Sequence, residues 1–285
     1  MKCRSDKEIF LRRFDLAVFE SLLIFFVQVE IKDIFAKKFV EIFKSAEDQK
    51  MTNQSVHAFA EKVALVTDGE NPVGRSVALQ LALLGSYVIV GFPENSSESR
   101  VSLEELRSLG TLANAVETDI CNLEGTQKLV GEVDKMFGRL DLLINTLKFR
   151  PESSFLETGA ELWDKTIGAN LKSTFFVTQA AFPLLNARPK PRIVNIAYRF
   201  ENNSLYAAAQ SGLIGLTKSF AAEFPAKFRV NCVEVVEKSM PDSDLQESQL
   251  FRAKSGIAED DVARAVVYLL SSEAVGLSGQ TLTIS

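Results

Sequence analysis

The chain has 285 residues, 46% hydrophobic and 24% charged, a length and balance that suit one α/β domain with a well-buried core. A net charge of −5, with no basic stripe carrying interleaved aromatics, argues against nucleic acid as a partner. Cys3, Cys121 and Cys232 are scattered and read as thiols of a reducing cytoplasm, and a single histidine, His57, excludes a histidine triad or multi-histidine metal site, so no metal is expected.

Residues 1–50 read differently from the rest. Leu16 to Val29 is nearly all apolar but shorter than the ~20 residues that span a bilayer. Asp6, Glu8 and Asp15 interrupt the basic residues before it, and no small-residue cleavage site follows, which argues against a signal peptide. Ile31, Ile34, Phe35, Phe39, Ile42 and Phe43 then fall at helical spacing. Three readings stay open: an amphipathic helical extension packed on the domain or a partner, a membrane-surface anchor using residues 9–43, or sequence upstream of a native start at Met51. The domain proper is then 51–285.

From Lys62 onward, short apolar runs alternate with helical patterns, the signature of a parallel sheet with crossover helices. Strands are expected at Lys62–Thr67, Tyr87–Phe92, Ala113–Glu117, Leu142–Asn145, Arg192–Ala197, Arg229–Val235 and Thr281–Ile284. Helices are expected at Val73–Leu84, Leu103–Leu109, Leu123–Phe137, about Ala160–Asn186, Ser204–Phe224 and Asp260–Ser271. Pro93–Ser99 reads as a polar loop, and Val236–Phe251 as the least regular stretch. The fold class is a single Rossmann-type doubly wound sheet of about seven strands with helices on both faces, which places ligands at the carboxyl ends of the strands.

Motifs fall at those ends. The run Thr67-Asp-Gly-Glu-Asn-Pro-Val-Gly74 opens a helix after the first strand, and Tyr206-Ala-Ala-Ala-Gln210 lies early in a later helix. Together with Asp119, Asn145, Asn170 and the tail Ser278-Gly-Gln-Thr-Leu282, these resemble the short-chain dehydrogenase/reductase family over about Lys62 to Ser285. The chain is similar to the family's 3-oxoacyl-carrier-protein reductases. The resemblance implies an NAD or NADP cofactor, with Thr67, Gly69, Val73 and Gly74 at the phosphate loop, Asp119 at the adenine and Asn145 bracing the central sheet beside it. It implies a carbonyl or alcohol substrate, with Val236–Phe251 as its lid. It also implies a homo-oligomer built on the long helices around Leu171 and Leu213.

The departures from the family pattern are chemical. Asp68 and Pro72 stand where the phosphate loop has its first two glycines, so only Gly74 survives of three. An acid brings negative charge to a dianionic ligand, and proline removes a donor while suiting the first turn of a helix. Of the catalytic tetrad, Asn170 and Tyr206 match, whereas Tyr198 stands at the serine and Gln210 at the lysine. Free tyrosine titrates near pH ~10, and bringing it to neutrality takes roughly 4 kcal/mol, which a nearby ammonium supplies and a neutral amide does not. Val235-Val236 replaces the Pro-Gly expected against the nicotinamide. Two functions follow: an NAD(P)(H)-dependent oxidoreductase impaired in acid/base catalysis, or a retired reductase kept as a binding module or oligomer subunit.

Overall fold

The computed structural model describes residues 58–200, 203–237 and 259–285, which lie in one unit, Asn53–Ser285. The N-terminal extension, Met51 with its lead-in, and the expected lid beyond Glu237 fall outside the described residues.

Seven strands form one parallel sheet: β1 (Val63–Val66), β2 (Tyr87–Phe92), β3 (Ala113–Glu117), β4 (Leu142–Asn145), β5 (Arg192–Phe200), β6 (Arg229–Glu237) and β7 (Thr281–Ile284). Their order is β3-β2-β1-β4-β5-β6-β7, every neighbouring pair parallel, with the reversal between β1 and β4. Helices α1 (Pro72–Leu83), α2 (Glu98–Ser108), α3 (Leu123–Phe137), α4 (Ala160–Ile167), α5 (Ser173–Asn186), α6 (Ser204–Glu223) and α7 (Glu259–Leu270) complete the crossovers. The Rossmann-type fold class is therefore as the sequence implies.

The strands read as continuous apolar runs because both faces are buried. Alternation along β1 divides the core. Ala64 and Val66 join Val77 and Leu81 of α1 and Val262, Val266 and Leu269 of α7, whereas Val63 and Leu65 join Leu129 and Val133 of α3 and Val177 and Leu185 of α5. A one-residue slip would exchange these sets, so register is fixed by burial.

Several boundaries differ from expectation. The helix expected at Leu103–Leu109 starts earlier, at Glu98, taking in part of the polar loop. The long helix is interrupted by a π-helical turn, Gly168–Lys172, centred on Asn170. Strand β5 continues past Ala197 to Phe200 and β6 past Val235 to Glu237, paired as Tyr198↔Val235, Arg199↔Val236 and Phe200↔Glu237. Val236 is thus strand rather than the start of a lid. Without a proline, which would remove a ladder N–H, nothing stops the pairing.

Candidate active site

The carboxyl ends of β1, β4 and β5 converge with the start of α1 and with α6. At the first of these, Asn71 caps α1: its side-chain oxygen accepts from the Val73 N–H at 3.0 Å, and Pro72 occupies the first helical turn. The Asn71 amide nitrogen donates to the Thr146 carbonyl and to the Tyr198 phenol oxygen, both at 2.9 Å. Asp68 Oδ1 accepts from the Glu70 N–H at 3.0 Å and the Asn71 N–H at 3.3 Å. Burial pushes the Asp68 carboxyl up to about 6, further than those two N–H groups pull it down.

Thr146 holds the ends of β1 and β4 together. Its hydroxyl accepts from the Asp68 N–H and donates to the Asp68 carbonyl, each at 3.0 Å, and its own N–H donates to Thr67 Oγ1. Gly74 and Gly69 permit the close approaches here. A Cβ on Gly74 would collide with the Asp68 carbonyl, and one on Gly69 would lie 2.5 Å from Val90 and Phe92 side-chain carbons. Val73 is buried in the core cluster of this face.

The matched tetrad positions form a second network. Gln210 is 4% exposed. Its oxygen accepts from the Tyr198 N–H at 2.9 Å and its nitrogen donates to Asn170 Oδ1 at 3.0 Å. Asn170, buried in the π-helical turn, also accepts from the Phe149 N–H at 3.1 Å and donates to the Phe149 and Thr166 carbonyls at 2.7 and 2.9 Å. Tyr198 lies inside the core with the Lys148 ammonium 4.3 Å from its ring centroid. Tyr206 is fully buried. Its N–H donates to Asn203, the cap of α6. The structure thus brings Tyr198, Gln210 and Asn170 into one hydrogen-bonded chain, with Gln210 turned to protein partners.

The other candidates stand apart. Asp119 is exposed at the end of β3, where its carboxylate accepts from the Cys121 N–H and the Asn122 amide. Asn145 is buried and donates to Asn195 at 2.8 Å, which donates in turn to Thr217, so it braces β4 against β5 and α6. Sequence reasoning missed Asn71 and Thr146. The Asn-Pro pair ahead of an apolar helix was the available signal for Asn71; for Thr146 the sequence carries none. Among the described residues no cluster of His, Cys, Asp and Glu is placed to hold a metal.

A family model described as enoyl-(acyl carrier protein) reductase matches residues 69–285. The 3-oxoacyl-[acyl-carrier-protein] reductase FabG of Staphylococcus aureus is 30% identical over 238 residues, covering 79% of this chain and 96% of that protein. This chain belongs to the short-chain dehydrogenase/reductase family. Among solved structures, a dehydrogenase/reductase from Sinorhizobium meliloti aligns over 81% of this chain and 96% of its own at 26% identity, with a TM-score of 0.72. An acetoin dehydrogenase from Enterobacter cloacae aligns over 79% and 94% at 26% identity, with a TM-score of 0.70.

Short-chain dehydrogenase/reductases generally use NAD(P)(H). In this member the residues of the phosphate loop do not fit a pyrophosphate. The Asp68 carboxylate and the Asn71 side chain already take N–H groups that open α1, and Pro72 has none to offer.

Proposed function

We propose that this short-chain dehydrogenase/reductase has given up tuned carbonyl reduction and serves as a binding module or oligomer subunit on the retained fold. The observation that carries this reading is Gln210. At the place of the ammonium that would favour a phenolate stands a neutral amide, with one end on the Tyr198 backbone and the other on Asn170. An amide supplies no Coulombic stabilisation to Tyr206, and losing matched acid/base catalysis costs about 10²–10⁴ in rate. Asn170 is bonded to Phe149, Thr166 and Gln210, so its side chain acts as a strut of the π-helical turn.

Assembly into a homo-oligomer is supported by a groove of about 420 Å³ lined by Leu171, Phe175, Phe176, Gly212 and Leu216. Phe175 is 40% exposed there, while Gly212 is packed under Leu171 of the same chain, which a Cβ would approach to 3.0 Å. Among the described residues no helix is long and apolar enough to cross a membrane, and we place the protein in the cytoplasm.

The second reading is an NAD(P)(H)-dependent oxidoreductase acting weakly on a carbonyl or alcohol. It is favoured by Tyr206 and Asn170, the two tetrad positions whose residue type matches the family pattern. A steady-state assay of NADH and NADPH oxidation against a panel of ketones and β-ketoacyl thioesters separates the two. No turnover above buffer is expected, with a dimer or tetramer by light scattering. Sustained turnover that Tyr206→Phe abolishes would install the second reading instead.

A further inference from the structure

We propose that Asp68 is a resident anion: its carboxylate occupies the turn that opens α1 as an internal substitute for a phosphate, and so closes this loop to phosphorylated ligands. The inference rests on the reading that tuned reduction is lost and deepens it, because it names the side chain that keeps dinucleotides out.

The geometry points to a built closure rather than a collapsed loop. Helix N-termini attract anions because their first N–H groups lack partners and point outward. Here Asp68 Oδ1 takes the Glu70 and Asn71 N–H groups, and Asn71 Oδ1 takes that of Val73. The Arg75 N–H is already bonded to the Asn71 carbonyl inside the helix. Asp68 is only 8% exposed. Two struts hold it there: Thr146, bonded to its backbone on both sides, and Asn71, tied to the Thr146 carbonyl and Tyr198 phenol. An incoming pyrophosphate would have to displace the carboxylate from these donors. If it did not, it would sit beside that charge and the nearby Glu70, with like charges in a partly desolvated turn. Both routes penalise nucleotides, dinucleotides and inorganic pyrophosphate alike, so the cleft favours ligands without a phosphate at this end.

The test compares the wild-type chain with Asp68→Gly and Asp68→Asn. Binding is read by fluorescence titration with NADH and NADPH, and by thermal shift with inorganic pyrophosphate. Asparagine keeps an acceptor for the two N–H groups and removes only the charge; glycine removes both. The wild type is expected not to saturate at millimolar ligand. Asp68→Gly should bind at least about tenfold more tightly, and Asp68→Asn should gain less. Should glycine prevent folding, a gain in the asparagine variant decides the matter alone. Saturable wild-type binding without turnover overturns the resident anion and leaves the loss of reduction standing. No gain in either folded variant overturns it as well.

Discussion

Two buried aspartates sit at opposite ends of the same sheet and meet opposite fates. Asp141, at the amino end before β4, accepts from the Val63 N–H at 3.1 Å and from Arg188 at 2.9 Å, with Lys62 at 3.5 Å and Arg139 at 3.9 Å. Burial pulls its carboxyl upward, but the N–H and the surrounding cations outweigh that and hold it below the ordinary carboxylate value. Asp68, at the carboxyl end after β1, has two backbone N–H groups and a neighbouring glutamate; burial wins, and the group rises to about 6. At the amino end the Asp141 carboxylate is matched by cations, although Arg192 and Arg229, paired at the first position of β5 and β6, are held below the ordinary guanidinium value by burial, Arg192 also by its like-charged neighbour. The carboxyl end is where this family places its ligands, and there burial outweighs the two N–H groups that the Asp68 carboxylate accepts from.

The sharpest way to break this contrast is to remove each carboxylate. Asp141→Ala leaves Arg188 and Lys62 facing a gap and the Val63 N–H without its acceptor. The cations are part-exposed and so screened, and a loss of about 3 kcal/mol is expected in urea unfolding at pH 7.5. Because its folded value is depressed, the stability Asp141 contributes is present above the ordinary carboxylate range and fades as pH falls through the folded value. A loss below about 1 kcal/mol would mean the cation cluster contributes little.

Asp68→Asn should act in the other direction. A raised folded value means the ionised group opposes folding. Its penalty is absent below the ordinary carboxylate value near 3.8 and grows as pH rises toward about 6, where it levels off. The variant is therefore expected to exceed the wild type by about 2 kcal/mol at pH 8 and to match it near pH 4. Equal stability at both pH values would show that Asp68 is better solvated than its burial implies.

The smallest effect concerns the middle of the site. Gln210→Lys restores an ammonium but has no acceptor for the buried Tyr198 N–H, and should cost about 1–2 kcal/mol. Carbonyl reduction is not expected to return in the same variant, because the phosphate loop is unchanged. Turnover in Gln210→Lys would place the whole defect in the acid/base step.

Much of this was legible in the chain itself. The apolar runs of β1, β2, β4 and β6, the helices between them, and the substitutions at positions 68, 72, 198 and 210 could all be read without coordinates. The π-helical turn at Asn170 could not, since a 3.6-residue pattern carries across it unchanged. Nor could the last residues of β5, where Arg199 interrupts the apolar run and only pairing with Val236 keeps the strand going.

The sequence by itself determined the doubly wound sheet and which family residues are missing, because local periodicity and short motifs specify both. Tertiary structure decided what the replacements do: that Gln210 bridges Tyr198 to Asn170, that Asn71 reaches both Thr146 and Tyr198, and that Asp68 turns inward to the start of α1. Those outcomes depend on burial and on donors contributed by residues far apart in the chain. A hydrogen-bond partner 127 residues away leaves no trace in local pattern.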